Sequence, residues 1–149
     1  RHNAYMLEEF RAHAIVWRPG ARDLLEEVAQ AGIPCAVVSA SDSGILATVV
    51  DTMPEVFATV VGGDQVSLGK PHPEPYLTAA GRLGVAPRDC IAVEDSINGV
   101  ASAATAGVPT LGVPFMQDLP SAPGRRILPT LEGISLADLG RLWQELRDA

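Results

Sequence analysis

Apolar residues follow two alternating rhythms along this chain, and the alternation predicts an architecture. Ala21, Leu24, Leu25, Val28 and Ala31 recur at the spacing that keeps one face of a helix against a core. Pro19 stands where that helix begins and Gly32 where it ends. Proline has no amide to leave unsatisfied, and glycine accepts the left-handed conformation of a helix stop. Cys35-Ala36-Val37-Val38 is unbroken and partly β-branched, as expected of a strand covered on both faces. The pattern then repeats. Ile45, Leu46, Val49, Val50 and Met53 mark a helix, Phe57 to Val61 a strand closed by Gly62-Gly63, and Glu74 to Leu83 a helix ending at Gly84. Ile91-Ala92-Val93 reads as a strand, Ser96 to Ala106 as an Ala-rich helix closed by Gly107, and Thr110 to Val113 as another strand. Pro114 to Pro123 has no period, and Leu136, Leu139, Leu142, Trp143 and Leu146 form a last amphipathic helix. Tyr5, Met6, Leu7 and Phe10 fit a short helix within residues 1–13. Strands alternating with helices imply an α/β fold, a Rossmann-like parallel sheet with flanking helices and right-handed crossovers.

Composition narrows what such a fold could do. The 149 residues are one domain's worth. A formal charge of −7 argues against a nucleic-acid partner, although a metal and one lysine can reverse the field locally for a phosphorylated ligand. Cys35 and Cys90 each open an apolar run, are expected in buried strands, and point to a reducing compartment rather than a disulfide framework. No apolar stretch reaches membrane-spanning length and no signal-peptide pattern is visible, so no membrane partner and a cytoplasmic location are expected.

Three segments could carry chemistry. Glu94-Asp95 closes a strand just before Ser96, a helix cap; adjacent carboxylates repel unless compensated, and Mg²⁺ is a natural compensator that bridges carboxylates to phosphate. The alternative is an Asp-capped helix with a salt bridge. Ser39-Ala40-Ser41 lies at a strand-to-helix turn whose hydroxyls and amides suit an anion; alternatively Ser41 or Asp42 only caps the next helix. Gly69-Lys70-Pro71-His72-Pro73 restrains an ammonium that could neutralise a phosphoryl oxygen, or forms a surface turn with a solvated lysine. His72 could be a base, but a proline-flanked loop histidine is more commonly structural. Among the three segments there is no zinc-type Cys/His cluster, and the chain has no phosphate-loop or dinucleotide fingerprint.

Taken in order from about Arg18 onward, these segments resemble the haloacid dehalogenase-like hydrolase superfamily. Pro19-Gly20-Ala21, Gly32-Ile33-Pro34 and Val37-Val38-Ser39-Ala40-Ser41 are similar to its second motif and approach helix. Gly69-Lys70-Pro71-His72-Pro73-Glu74-Pro75-Tyr76 is similar to the third, and Val93-Glu94-Asp95-Ser96 with Gly99-Val100 to the fourth. The Glu-Asp-Ser form is most similar to the branch of β-phosphoglucomutase and sugar- or polyol-phosphate phosphatases. The resemblance implies that Ser39 and the Ala40 amide hold a phosphoryl group, that Lys70 balances charge, and that Asp95 binds Mg²⁺ with Glu94 joining directly or through water. It sets Ser43 where some members contact phosphate, and leaves Asp64 a structural role. A phosphatase of a small phosphorylated substrate is the expected activity; a mutase or a non-catalytic phosphate-binding remnant are the alternatives. Oligomeric state is left open.

One departure matters. That family begins its chemistry from an Asp-x-Asp motif on a first, central strand, and this chain contains no Asp-x-Asp. The resemblance therefore implies that residues 1–13 are a remnant of a helical cap and 14–149 a partial core, lacking the first central strand and most of the cap. That strand would lie between those ending at Ser39 and Glu94. The expectation is a sheet wedged apart there unless another segment, such as Ala14-Ile15-Val16-Trp17, fills the gap, and a chain inactive by itself.

Overall fold

A computed structural model describes residues 17–149. The helix expected within residues 1–13, and Ala14-Ile15-Val16, lie outside those residues. The described chain runs α1 (Ala21–Gln30), β1 (Cys35–Val38), α2 (Ser43–Thr52), β2 (Phe57–Val61), α3 (Glu74–Leu83), β3 (Ala92–Glu94), α4 (Ile97–Ala106), β4 (Thr110–Gly112), β5 (Arg125–Ile127) and α5 (Leu136–Arg147). Short 3₁₀ turns at Gly63–Gln65 and Pro87–Asp89 join the elements around β2 and β3.

The local stops act as their chemistry requires. Gly32, Gly84 and Gly107 all take positive φ at helix ends, where a side chain would be strained. Ser96 accepts from the Gly99 amide and Ser135 from the Asp138 amide, supplying acceptors that the first turns of α4 and α5 lack.

Every strand pairing is parallel, yet among the described residues the strands form two sheets rather than one: β1–β2, and β3–β4–β5. The break falls between the strands ending at Val38 and Glu94, where the resemblance sets a further strand. It explains one departure from expectation. Cys35–Val38 was expected to be covered on both faces, but all four residues are only half-buried. Val93, in the middle of β3, is 44 % exposed. Each strand has one edge without a ladder partner among the described residues, so its side chains lack a neighbour on that side.

Helices cover both faces. Tyr76 of α3 packs with Ala92, Ala103, Ala106 and Val108, joined by Val38 from across the break. On the other face Leu24 and Val28 of α1 meet Val113 and Leu131. Leu111 of β4 is fully buried against Leu142 and Leu146 of α5, a burial that stabilises by about 1.5–3 kcal/mol for a leucine side chain.

β5 was not anticipated. Its three residues begin with two arginines, too short and too charged to set up a period, and it pairs only with β4. The cysteines also need a correction. Cys35 lies in β1, but Cys90 precedes β3, and both are free and half-buried rather than buried. No helix among the described residues is long and apolar enough to cross a membrane.

Candidate active site

The carboxyl ends of β1 and β3 face each other across the break, and the three segments singled out by sequence meet there. The first is the turn Ser39-Ala40-Ser41. Its backbone is clamped to the neighbouring loop: the Ser39 amide donates to the Val61 carbonyl at 3.0 Å and the Gly63 amide to the Ser41 carbonyl at 2.8 Å. Gly63 must lack a side chain, because a Cβ there would overlap the Ala40 carbonyl. The Ser39 hydroxyl accepts from the Ser41 amide at 3.2 Å, so its own hydrogen can still be donated outward.

Asp42 caps α2, accepting from the Ile45 amide at 3.0 Å. A second carboxylate joins it, for Asp64 takes both the amide and the hydroxyl of Ser43, at 2.8 and 2.7 Å. Ser43 is thus engaged by Asp64, which ties the β2 exit to the β1 exit in the structural role expected of it. These bonds from the Ser43 hydroxyl and amide hold the Asp64 carboxyl below its ordinary range. A carboxyl whose folded-state value is depressed contributes stability above the unfolded value and loses it as pH falls through the folded one. Thermal melts of the parent and Asp64→Asn should therefore differ at neutral pH and converge in acid. A constant difference across the acid range would contradict this.

Lys70 is the only lysine among the 149 residues. Its Nζ donates to the Val38 carbonyl at 3.0 Å and also to Glu94 Oε2, which joins the end of β1 to the end of β3. The loop that carries it is anchored at several points. Glu74 accepts from the amides of Ser67 (2.8 Å) and Leu68 (3.1 Å). His72 Nδ1 accepts from the Glu74 amide at 3.1 Å, and the His72 carbonyl accepts from Ser102 Oγ at 2.7 Å. His72 is therefore a loop anchor, and Lys70 is held rather than solvated on a surface turn.

Glu94 is buried, and its Oε2 also accepts from the Tyr76 hydroxyl. Burial raises the Tyr76 hydroxyl well above its ordinary range, with the charges of Glu94 and Asp95 adding to the effect, so it is a donor throughout the working pH range. Tyr76 was part of the third motif but had no assigned role; its hydroxyl gives no periodic signal. The other oxygen, Oε1, occupies the space over Gly99, where a Cβ would overlap the carboxylate. Alanine in a helix ordinarily stabilises by about 0.5–1 kcal/mol over glycine. Here the collision should win, and Gly99→Ala should destabilise by about 1–3 kcal/mol in urea titrations, as overpacking does.

Asp95, the next residue, is exposed, as the alternation of side chains along a strand requires. It makes no hydrogen bond or ion pair with another described residue. The described residues contain no group of three or more carboxylate, histidine or cysteine side chains that could hold a metal. One uncommitted carboxylate at this strand end nonetheless fits Mg²⁺, which commonly keeps several waters and takes only one or two protein carboxylates.

Comparison with known proteins gives a consistent outcome. The family model for haloacid dehalogenase-like hydrolase matches residues 4–107. The chain is 37% identical over 101 residues to the bifunctional riboflavin kinase/FMN phosphatase of Arabidopsis thaliana, covering 66% of this chain and 27% of that protein. It is 33% identical over 99 residues to phosphoglycolate phosphatase of Escherichia coli K12, covering 65% of this chain and 39% of that protein. The chain thus spans well under half the length of these curated relatives. Among solved structures it is similar to CbbY from Rhodobacter sphaeroides in complex with phosphate, with TM-score 0.81, 29% identity, and coverage of 93% of this chain and 67% of that one. A mutant of that protein was solved with xylulose-(1,5)bisphosphate.

Proposed function

The chain belongs to the haloacid dehalogenase-like hydrolase family, and on that premise we propose that it is part of a Mg²⁺-dependent phosphatase acting on a small phosphorylated metabolite. The observation that carries this reading is the Lys70 ammonium held between the ends of β1 and β3, beside the Ser39 turn and the Glu94-Asp95 pair. An ammonium restrained by protein acceptors needs no reorganisation to meet negative charge, which is the source of its electrostatic effect.

In this reading Lys70 faces the transferring phosphoryl group and offsets its charge. The Ser39 hydroxyl and the Ala40 amide donate to its oxygens from a turn hydrogen-bonded to the neighbouring loop. Asp95 would be the protein ligand for Mg²⁺, with Glu94, whose carboxylate is engaged by Lys70 and Tyr76, in support. The metal, when bound, neutralises phosphoryl charge. The nucleophile is an aspartate from outside these 149 residues, so transfer passes through an aspartyl-phosphate and the chain by itself binds without turnover. The named substrates of the relatives, FMN and phosphoglycolate, are small phosphorylated compounds, as this substrate class requires.

The test is hydrolysis of p-nitrophenyl phosphate by the full-length protein containing this chain, with and without Mg²⁺. Mg²⁺-dependent release of phosphate is expected, with a loss of about 100-fold or more in Asp95→Asn. A well-folded full-length protein that is inactive on a broad panel of phosphoesters would overturn the reading.

A further inference from the structure

We infer that Tyr76 is a positioning residue, acting through Glu94 to hold the Lys70 ammonium so that one of its N–H groups is left for an anion. The use of that N–H rests on the phosphatase reading above; the positioning itself does not.

A lysine ammonium has three donors and no acceptor. Two of Lys70's are committed, to the Val38 carbonyl and to Glu94 Oε2. The third has no acceptor among the described residues. What keeps it from Glu94 is the occupancy of that carboxylate. Oε2 already accepts from the Tyr76 hydroxyl, and Oε1 is packed into the space over Gly99. With Oε2 shared by two donors and Oε1 lying over Gly99, turning the carboxylate to take a second N–H from the lysine would break the Tyr76 bond.

Filling space does not explain the hydroxyl. The Tyr76 side chain belongs to the buried cluster of Ala92, Ala103, Ala106 and Val108, and a phenylalanine would fill the same space. A buried hydroxyl is tolerated only when bonded, and its acceptor here is the oxygen that Lys70 also uses. The ring lies 5.4 Å from Nζ, so one side chain touches both members of the ion pair.

Lys70 is the only lysine of these 149 residues; in the full-length protein containing this chain, grown with isotope-labelled lysine, its ζ-ammonium resonance is the one that disappears in Lys70→Met. In Tyr76→Phe that resonance should shift and its protons should exchange faster with solvent. Inorganic phosphate, titrated against the same resonance, should bind about fivefold more weakly, the worth of one net hydrogen bond. Gly99→Ala crowds the other carboxylate oxygen and should move the resonance too, which keeps the test decisive if Tyr76→Phe folds poorly. Ala103→Gly, a stability control in the same cluster, should leave it unchanged. A Tyr76→Phe or Gly99→Ala resonance that superimposes on the parent's overturns the positioning role. If phosphate moves the resonance in no variant while Tyr76→Phe still shifts it, positioning stands and the phosphatase reading falls.

Discussion

Replacing Glu94 with alanine should remove about 3–5 kcal/mol of folding free energy, because it breaks a buried ion pair from one side. Glu94 is 7 % exposed, and its loss would leave the Lys70 ammonium and the Tyr76 hydroxyl without their shared acceptor. For a domain whose whole stability is about 5–15 kcal/mol, that approaches unfolding. Glu94→Gln keeps an acceptor of the same shape and gives up only the charge, so it should fall between the parent and Glu94→Ala in urea titrations. The neighbouring carboxylate supplies the contrast. Asp95 is exposed and bonded to no other described residue, so Asp95→Ala should alter stability by no more than about 0.5 kcal/mol. Equal losses at the two positions would mean that Glu94 is not the acceptor on which this part of the fold depends.

Lys70→Met in the full-length protein should lower phosphoester turnover about 10²–10³-fold, the usual cost of removing one preorganised electrostatic donor. Methionine retains most of the stem and deletes the charge. Lys70→Arg should not restore activity. The guanidinium is planar and forked, whereas the space between the Val38 carbonyl and Glu94 Oε2 accepts a compact ammonium. Turnover measured below each variant's melting temperature separates this effect from loss of fold. A folded Lys70→Met protein within threefold of the parent would remove Lys70 from the chemistry.

Much of this was legible from local pattern. The strands at Cys35–Val38 and Phe57–Val61, and the helix at Glu74–Leu83 with Gly84 behind it, follow from periods and stops that act within a few residues. Ser96 was legible as a cap for the same reason, since its hydroxyl needs only an amide of the next turn. β5 was not legible, because Arg125 and Arg126 carry no period and pairing with β4 alone creates the strand. Nor was the half-exposure of β1 and Val93, which depends on what lies along a strand's edge and not on its own residues.

The site divides in the same way. From the order of its residues alone, this protein was bound to an α/β fold with a serine turn, a restrained lysine and paired acids at strand ends, because periodicity, capping and turn chemistry are short-range. Only the folded chain decided how those groups are used. It turned Glu94 inward to Lys70 and Tyr76 while leaving Asp95 outside, made Gly99 a seat for a carboxylate, and closed Lys70 onto the Val38 carbonyl, 32 positions away along the chain. Such pairings depend on where distant elements come to rest in three dimensions, and hydrophobic rhythm carries no record of which buried acceptor a given donor will meet.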